Sequence, residues 1–447
     1  MTTKEDTVRY LYPIIFRYAS LVLQFVVMVF ITRRLSQGDA GIYLQLFGII
    51  NATYVFVGFG IPDGIVKSVA HADALDRRHE IRPLVRRAAL ATGSTSLVML
   101  ILGVTAAELF NGGYGEDRSL IILAAIWWLC YGATFFAAQV LVALGESGKG
   151  AFFFYPAMNI ALFGTSVPYL ALATTPDIQA TLVATIIGGL LCSVAALATA
   201  GFYYSTFPSS SEPVSLRPAM RLGFSIGLSR VLQSSIHWIP VWGIGAFHGA
   251  AAAATLGTAS RLNVAIAAVM AAIRFTIRPV IVRHAARNDW QEIAIESSKV
   301  ATLATLVSFV ALAGTLLLGP FAIGLIFGES YRASALLLAI LLFGTLGECV
   351  GGPVDEILKM TSRANIVLAI LICATMSEAL LVWIFGGFDV IVTAVIQAGT
   401  FVGMYGFMLW FVWRKHGVWV GANFTPAYIQ TLFPRRGAVK GAEDILS

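Results

Sequence analysis

Charge is scarce in this chain. Charged residues make up 12% of its 447 residues, about half the roughly 25% of an ordinary water-soluble domain, which excludes a soluble enzyme with a conventional polar surface. Cysteine is scarce as well. Cys130, Cys192, Cys349 and Cys373 all fall in apolar stretches, so a disulfide scaffold is excluded and the four read as small buried thiols. The six histidines show no metal-ligand spacing, and no Gly-x-Ser-x-Gly elbow occurs. Gly145-Glu146-Ser147-Gly148-Lys149-Gly150 looks like a phosphate loop, but position 143 is alanine where glycine is needed and Gly150 stands where Ser or Thr belongs. No strand precedes it either. Neither a cofactor nor a nucleic-acid partner is expected.

What the chain has instead is hydrocarbon. Hydrophobic residues make up 58% and the mean hydropathy is +0.80. Apolar stretches long enough to cross a bilayer as helices recur from end to end. Twelve spans are expected, at 12–31, 40–66, 87–109, 119–144, 151–173, 178–202, 222–247, 252–277, 298–318, 333–354, 364–386 and 390–413. The fold class is therefore all-α and polytopic, with twelve transmembrane helices in two six-helix lobes. The first apolar run is too long for a cleavable signal and has no small-residue cleavage site, so it reads as an anchor. With both termini in the cytoplasm, the outer loops hold only Arg33, Arg34, Arg118 and Arg332 of the 30 lysines and arginines. Nearly all the others fall in inner segments, as the positive-inside rule requires. That asymmetry accounts for the net charge of +6.

The chain also echoes itself. Shifted by about 212 positions, Glu80-Ile81 falls on Glu292-Ile293, and Arg17 falls within one residue of Arg230. Each half reads as two spans, a basic amphipathic segment, then four spans. An even number of spans per half makes the repeats parallel, with the binding site expected between them. The expected lobes are 1–207 and 222–416, joined by a polar linker at 208–221. Residues 417–447 form a tail that is either interfacial or loose.

Four arginines break the apolar pattern: Arg17, Arg230, Arg261 and Arg274. A charge at the centre of a membrane helix costs about 2.5–3.5 kcal/mol on insertion scales, so it rarely sits there without a task. Fixed positive charge in hydrocarbon points to a pathway for something negative. Arg33 and Arg34 read as helix anchors at the outer face.

The stretches Leu35–Tyr43, Gly58–Ala70, Ala143-Leu144-Gly145 and Arg278–Ile293, in that order, resemble the multidrug/oligosaccharidyl-lipid/polysaccharide exporter superfamily. Within it the chain is similar to the polysaccharide-transporter branch, which includes the O-antigen and lipid-linked oligosaccharide flippases. The resemblance covers essentially the whole chain. It implies a multi-pass protein of a bacterial inner membrane that moves a polyprenyl-diphosphate-linked oligosaccharide from the inner to the outer leaflet. The implied route is a central cationic cavity, driven by an ion gradient through alternating access. Implied partners are that lipid-linked substrate, a coupling cation (proton or sodium), membrane lipids and polysaccharide-assembly proteins, with the flippase itself a monomer.

A diphosphate suits arginine, which stays charged and binds phosphate oxygens bidentately. The expected diphosphate set is Arg17, Arg230, Arg261, Arg274 and Lys67. Gln24, Asn51, Asp63, Gln233, Ser234, His237 and Asn263 are candidates to line the cavity and bond sugar hydroxyls. Glu378, Glu348 and Asp63 are the ion-coupling candidates. Asp355 and Glu356, beside the breaker Gly351-Gly352-Pro353, read as a solvated cluster at a helix end. A cation exporter of the same superfamily should hold its cargo with buried acids, whereas the buried charges here are mainly basic. A membrane-embedded glycan polymerase or ligase should need a large outer loop bearing catalytic groups, and the outer loops are short.

Overall fold

The computed structural model describes residues 4–109, 118–208, 214–275, 277–361 and 363–425. The core of the expected linker (209–213), most of the loop at 110–118 and the tail beyond 425 lie outside the described residues. So does the Arg274 side chain, although its backbone is helical. Among the described residues all regular structure is helical. In hydrocarbon a backbone must satisfy its own hydrogen bonds, and long apolar runs do so as helices.

The spans expected from sequence reappear, most of them longer. The first is α1 (Lys4–Arg34). The second is broken into α2 (Gln37–Thr53) and α3 (Ile61–Ala74), joined by a tight turn at Tyr54–Gly60. The third and fourth are α4 (Ile81–Leu109) and α5 (Arg118–Ala143). The fifth runs through α6 (Ser147–Phe152), a widened π turn at Phe153–Ala157 and α7 (Met158–Leu172). The sixth is α8 (Ile178–Ser205). The seventh and eighth are α9 (Arg217–His248) and α10 (Ala250–Phe275), followed by the short α11 (Arg278–Ala285). Then come α12 (Trp290–Phe327), α13 (Ser334–Gly351) with its satellite α14 (Val354–Met360), α15 (Ala364–Phe385) and α16 (Val390–His416). Ten segments of the described residues are apolar and long enough to cross a membrane. The two further long helices, α9 and α10, are the ones that carry Arg230, Arg261 and Arg274.

The chain packs as two compact units. The first holds residues 1–257, 323–331 and 386–390, and the second holds 258–322, 332–385 and 391–447. Within the first, α9 runs along the broken second span in backbone contact. A Cβ on Gly60 would fall on the Gly223 carbonyl, and one on Gly64 would fall on that of Ala219. Small residues at such crossings let membrane helices approach closely enough for van der Waals packing to hold them. Gly58, Phe59 and Gly60 all take positive φ (62°, 51° and 79°), a geometry that glycine adopts freely and Phe59 only under strain. The chain thereby reverses its local twist and restarts as α3, with Pro62 in the first turn, where its missing N–H is harmless.

Arg33 and Arg34 do act as anchors. Arg33 donates to the carbonyls of Ile326 (2.7 Å) and Leu325, and Arg34 to those of Leu170 and Ala173, each at 2.7 Å. These are the carbonyls that a helix C-terminus leaves without an internal partner.

In the second unit three expectations are corrected. Asp355 and Glu356 are buried rather than solvated. Gly352 (φ 67°) breaks the helix after α13, and α14 turns back to pack on α11 and α15, carrying both acids with it. Lys359, one turn on, lies 2.8 Å from Asp355 and 3.8 Å from Glu356. The tail is neither helical nor loose as far as residue 425. The Ala422 N–H donates to Val350 O (2.8 Å), the Asn423 N–H donates to Thr302 Oγ1 (2.9 Å), and Val420 is fully buried. Polar hydroxyls on α12 and the carbonyl end of α13 thus hold an extended strap. Finally, Cys373 is exposed while the other three thiols are buried, because it faces the apolar groove between α15 and α16.

Candidate functional site

The first unit contains a small polar cavity of about 180 Å³, whose walls come from α1, the end of α2, α5 and the fifth span. Three of the expected residues, Arg17, Gln24 and Asn51, line it together. Arg17 is the one charged side chain among the described lining residues. The rest of the wall is neutral: hydroxyls and amides (Ser20, Thr134, Asn159) and aromatic rings (Tyr54, Tyr131, Phe135).

Local sequence explains the wall on the fifth span. Pro156 sits inside the helix and has no N–H to return to the preceding turn, so the helix widens there. The Tyr155 carbonyl left at this turn accepts from Ser20 Oγ at 2.8 Å, and Asn159 Nδ2 donates to the same hydroxyl at 2.7 Å. The π turn is pinned to α1 in this way. Phe153, Phe154 and Tyr155, consecutive in sequence, all line the cavity.

Beyond the Phe135 ring lies Arg230, the second of the expected cavity arginines in this unit. Arg230 Cζ stands 6.0 Å from the ring centroid, and its Nη1 lies 3.0 Å from Asp63 Oδ1. Gln139 Nε2 donates to the same carboxylate oxygen at 2.6 Å. Asp63 is almost completely buried, whereas the Arg230 side chain is 40% exposed. The pair therefore offsets the charge of a buried carboxylate and leaves the Arg230 side chain partly exposed. Tyr54 packs edge-on against both Tyr131 (5.5 Å) and Phe135 (5.6 Å), so one aromatic cluster separates the Arg17 cavity from the Arg230–Asp63 pair.

The remaining expected residues fall elsewhere. Lys67 and Gln233 are exposed, and His237 is half-buried. Ser234 donates to Asn51 O at 3.3 Å. Arg261 and Asn263 belong to the second unit, where Asn263 is buried and accepts from Thr345 at 2.9 Å. In that unit Glu348 accepts from Tyr405 Oη at 2.9 Å. Glu378 is fully buried, and neither of its carboxyl oxygens has a hydrogen-bond partner among the described residues.

Sequence reasoning missed Gln139, Tyr54, Tyr131, Phe135, Asn159 and the aromatic run before Pro156. A readable signal exists for the last: four consecutive aromatics followed by proline inside an apolar span. Neutral residues on α5 carry no such mark.

Helices long and apolar enough to cross a membrane, with an arginine at a polar cavity and several buried acids, define a multi-pass membrane protein. The chain belongs to the polysaccharide biosynthesis protein family, whose model matches residues 10–285. No curated protein matches it. Among solved structures it is similar to an inward-facing multidrug resistance MATE family transporter of the MOP superfamily, at 12% identity and a TM-score of 0.71 over 89% of this chain and 94% of that one. It is equally similar to the lipid II flippase MurJ in an inward closed conformation, with 12% identity, a TM-score of 0.71, and 89% and 87% coverage. A MOP superfamily transporter from Pyrococcus furiosus, described as having a binding pocket of reversed polarity, matches at 10% identity and a TM-score of 0.62, covering 92% of this chain and 95% of that one. The fold is that of the MOP superfamily.

Proposed function

We propose that this protein is a flippase that carries a polyprenyl-diphosphate-linked oligosaccharide from the cytoplasmic to the outer leaflet of a bacterial inner membrane, for surface polysaccharide assembly. Membership of the polysaccharide biosynthesis family supports the pathway. The observation that carries the reading is Arg17, a fixed positive charge within an otherwise apolar span, at a cavity of neutral polar and aromatic groups.

A guanidinium binds phosphate oxygens through paired, charge-assisted hydrogen bonds. The low-dielectric surroundings strengthen each of them relative to water. In this reading Arg17 and the exposed part of Arg230 take the diphosphate, Arg261 and Arg274 share its charge along the pathway, and Lys67 draws the head group in from the cytoplasmic surface. The prenyl chain stays in lipid. Gln24, Asn51, Gln233, His237 and Asn263 offer hydrogen bonds along the route. The lobes 1–207 and 222–416 rock about the substrate, both termini staying cytoplasmic, and a monomer suffices. Uphill movement draws on a proton or sodium gradient, for which Glu378 is the first candidate and Glu348 and Asp63 the next. A buried carboxyl with no hydrogen-bond partner among the described residues offers a place for a proton or a cation, and its occupancy would differ between the sides of an energised membrane.

The test is transport itself. Purified protein in proteoliposomes should move a fluorescent lipid-linked oligosaccharide between leaflets, and an imposed proton or sodium gradient should drive it. Arg17→Ala should stop that movement at normal protein levels. Movement of cationic drugs in place of the glycolipid, or full glycolipid transport by Arg17→Ala, would overturn the reading.

A further inference from the structure

We infer that the Arg17 cavity is a saccharide subsite: it takes the first sugar ring of the cargo, the one bonded to the diphosphate, and selects glycosylated over bare lipid diphosphate. This deepens the proposed function and rests on it.

The lining is wrong for a second phosphate and right for a sugar. Only Arg17 among its described residues is charged, and an anion of two or more charges in a membrane needs more than one cation to offset its desolvation. A pyranose, by contrast, presents a rim of hydroxyls and flat faces of C–H groups. The rim calls for amides and hydroxyls that both donate and accept, and the faces call for aromatic rings. The cavity supplies the former through Asn51, Thr134 and Asn159, and the latter through Phe153, Phe154 and Tyr155. Its size, about 180 Å³, suits one ring rather than a chain.

The site is also built in advance. Asn159, Ser20 and the Tyr155 carbonyl form a closed hydrogen-bond chain from α7 to α1, and Tyr155 meets Phe154 edge-on at 4.5 Å between centroids. The π turn around Pro156 is the means of aiming three successive aromatics at one space; such turns inside helices are frequently found at functional sites. Asn51 donates to its own helix at Phe47 O (3.3 Å) and Thr134 to Cys130 O (2.9 Å). The Asn51 side-chain oxygen Oδ1 stays available for hydroxyl protons. With Arg17 on the same wall, a sugar in the cavity places its anomeric phosphate against the guanidinium.

The test measures equilibrium binding to the full-length purified protein with four probes: farnesyl diphosphate, and farnesyl diphosphate bearing glucose, galactose or N-acetylglucosamine. At least one glycosylated probe should bind about tenfold tighter than the bare diphosphate, the equivalent of one or two good hydrogen bonds. Tyr155→Ala and Asn51→Ala should bring that ratio close to one, while Arg17→Gln should weaken all four probes and keep the ratio. If Tyr155→Ala binds no probe because it misfolds, Tyr155→Leu and Asn51→Ala carry the test. Equal binding of bare and glycosylated probes by the wild type, or a wild-type ratio in the Tyr155 and Asn51 variants, overturns the subsite and leaves the flippase reading standing. Binding of none of the probes by the wild type overturns both.

Discussion

The two compact units solve the same problem with opposite charges. Both place ionisable groups in a layer that penalises them. In the first unit two arginines face one acid: Arg17 stands at a polar cavity, and Arg230 is set against the buried Asp63 and Gln139. In the second the buried groups are mainly acidic: Glu348 under Tyr405, Asp355 and Glu356 around Lys359, and Glu378. The sequence repeat makes this instructive. Helices begin at Lys4 and Arg217, at Gln37 and Ala250, and at Ile178 and Val390, but the compact units cut across this rhythm: Arg230, from the second half of the sequence, packs in the first unit. Units of divergent charge would fit a division of labour, in which the first unit, the basic half of the structure, meets an anionic cargo and the second, the acidic half, meets a cation.

That contrast can be broken most forcefully at Arg17. Its replacement by alanine should weaken binding of a lipid diphosphate roughly 10- to 100-fold, the range expected for one charge-assisted contact, and should abolish glycolipid transport. Equilibrium binding alongside the vesicle assay checks both. Retained binding would remove the basic half from substrate handling.

Next in size is Glu378→Gln. If the acidic half handles the coupling cation, this variant should still equilibrate glycolipid down its own gradient but should no longer accumulate it when a proton or sodium gradient is imposed. Gradient-driven accumulation at the wild-type level would sever the acidic half from coupling.

Much of the architecture is legible in the amino-acid sequence. Twelve spans, the repeat and the intramembrane arginines follow from hydropathy and charge, because a bilayer leaves few alternatives to a helix. Three things are not legible there. The division of chemistry depends on which faces of the helices are buried, and apolar membrane helices are greasy on every side, so periodicity says little about Glu378 or Asp355. The cavity depends on neutral partners such as Gln139 and Asn159, which look like any other polar residue in a span. The strap at 417–425 is held through its own backbone groups, by the Val350 carbonyl and the Thr302 hydroxyl, and strap residues that bond through their backbone leave no residue-type signature. The turn at Tyr54–Gly60 sits between these cases: two glycines and a proline announce a break, but not that it brings Asp63 to Arg230.

A sharper version of the contrast concerns that pair. If Arg230 is held by Asp63 chiefly to be presented to a ligand, Asp63→Asn should impair transport while leaving the fold largely intact. If the pair is structural, Arg230→Ala should destabilise more than the double variant with Asp63→Ala, since a lone buried carboxylate is worse than none. A double-mutant cycle on thermal stability should show a coupling of about 1–3 kcal/mol, at the modest end because Arg230 is 40% exposed. A coupling near zero would mean that the carboxylate is satisfied by Gln139 alone.

The smallest effect should come from the first unit's other arginines, which show what a guanidinium does here when it is not at the site. Arg33 and Arg34 cap helix ends through carbonyls of Leu325, Ile326, Leu170 and Ala173. Cations at helix C-termini contribute about 0.3–1 kcal/mol each at exposed positions, and glutamine keeps a donor there without the charge. Arg33→Gln and Arg34→Gln should therefore lower the unfolding midpoint by only a few degrees and leave lipid diphosphate binding at the wild-type value. The same chemical group, moved from an end cap to the cavity wall, would then differ in effect through its surroundings alone. Loss of diphosphate binding in either capping variant would show that position in the apolar layer is not what distinguishes Arg17, and that the charge contrast between the units is a matter of total charge rather than of a built site.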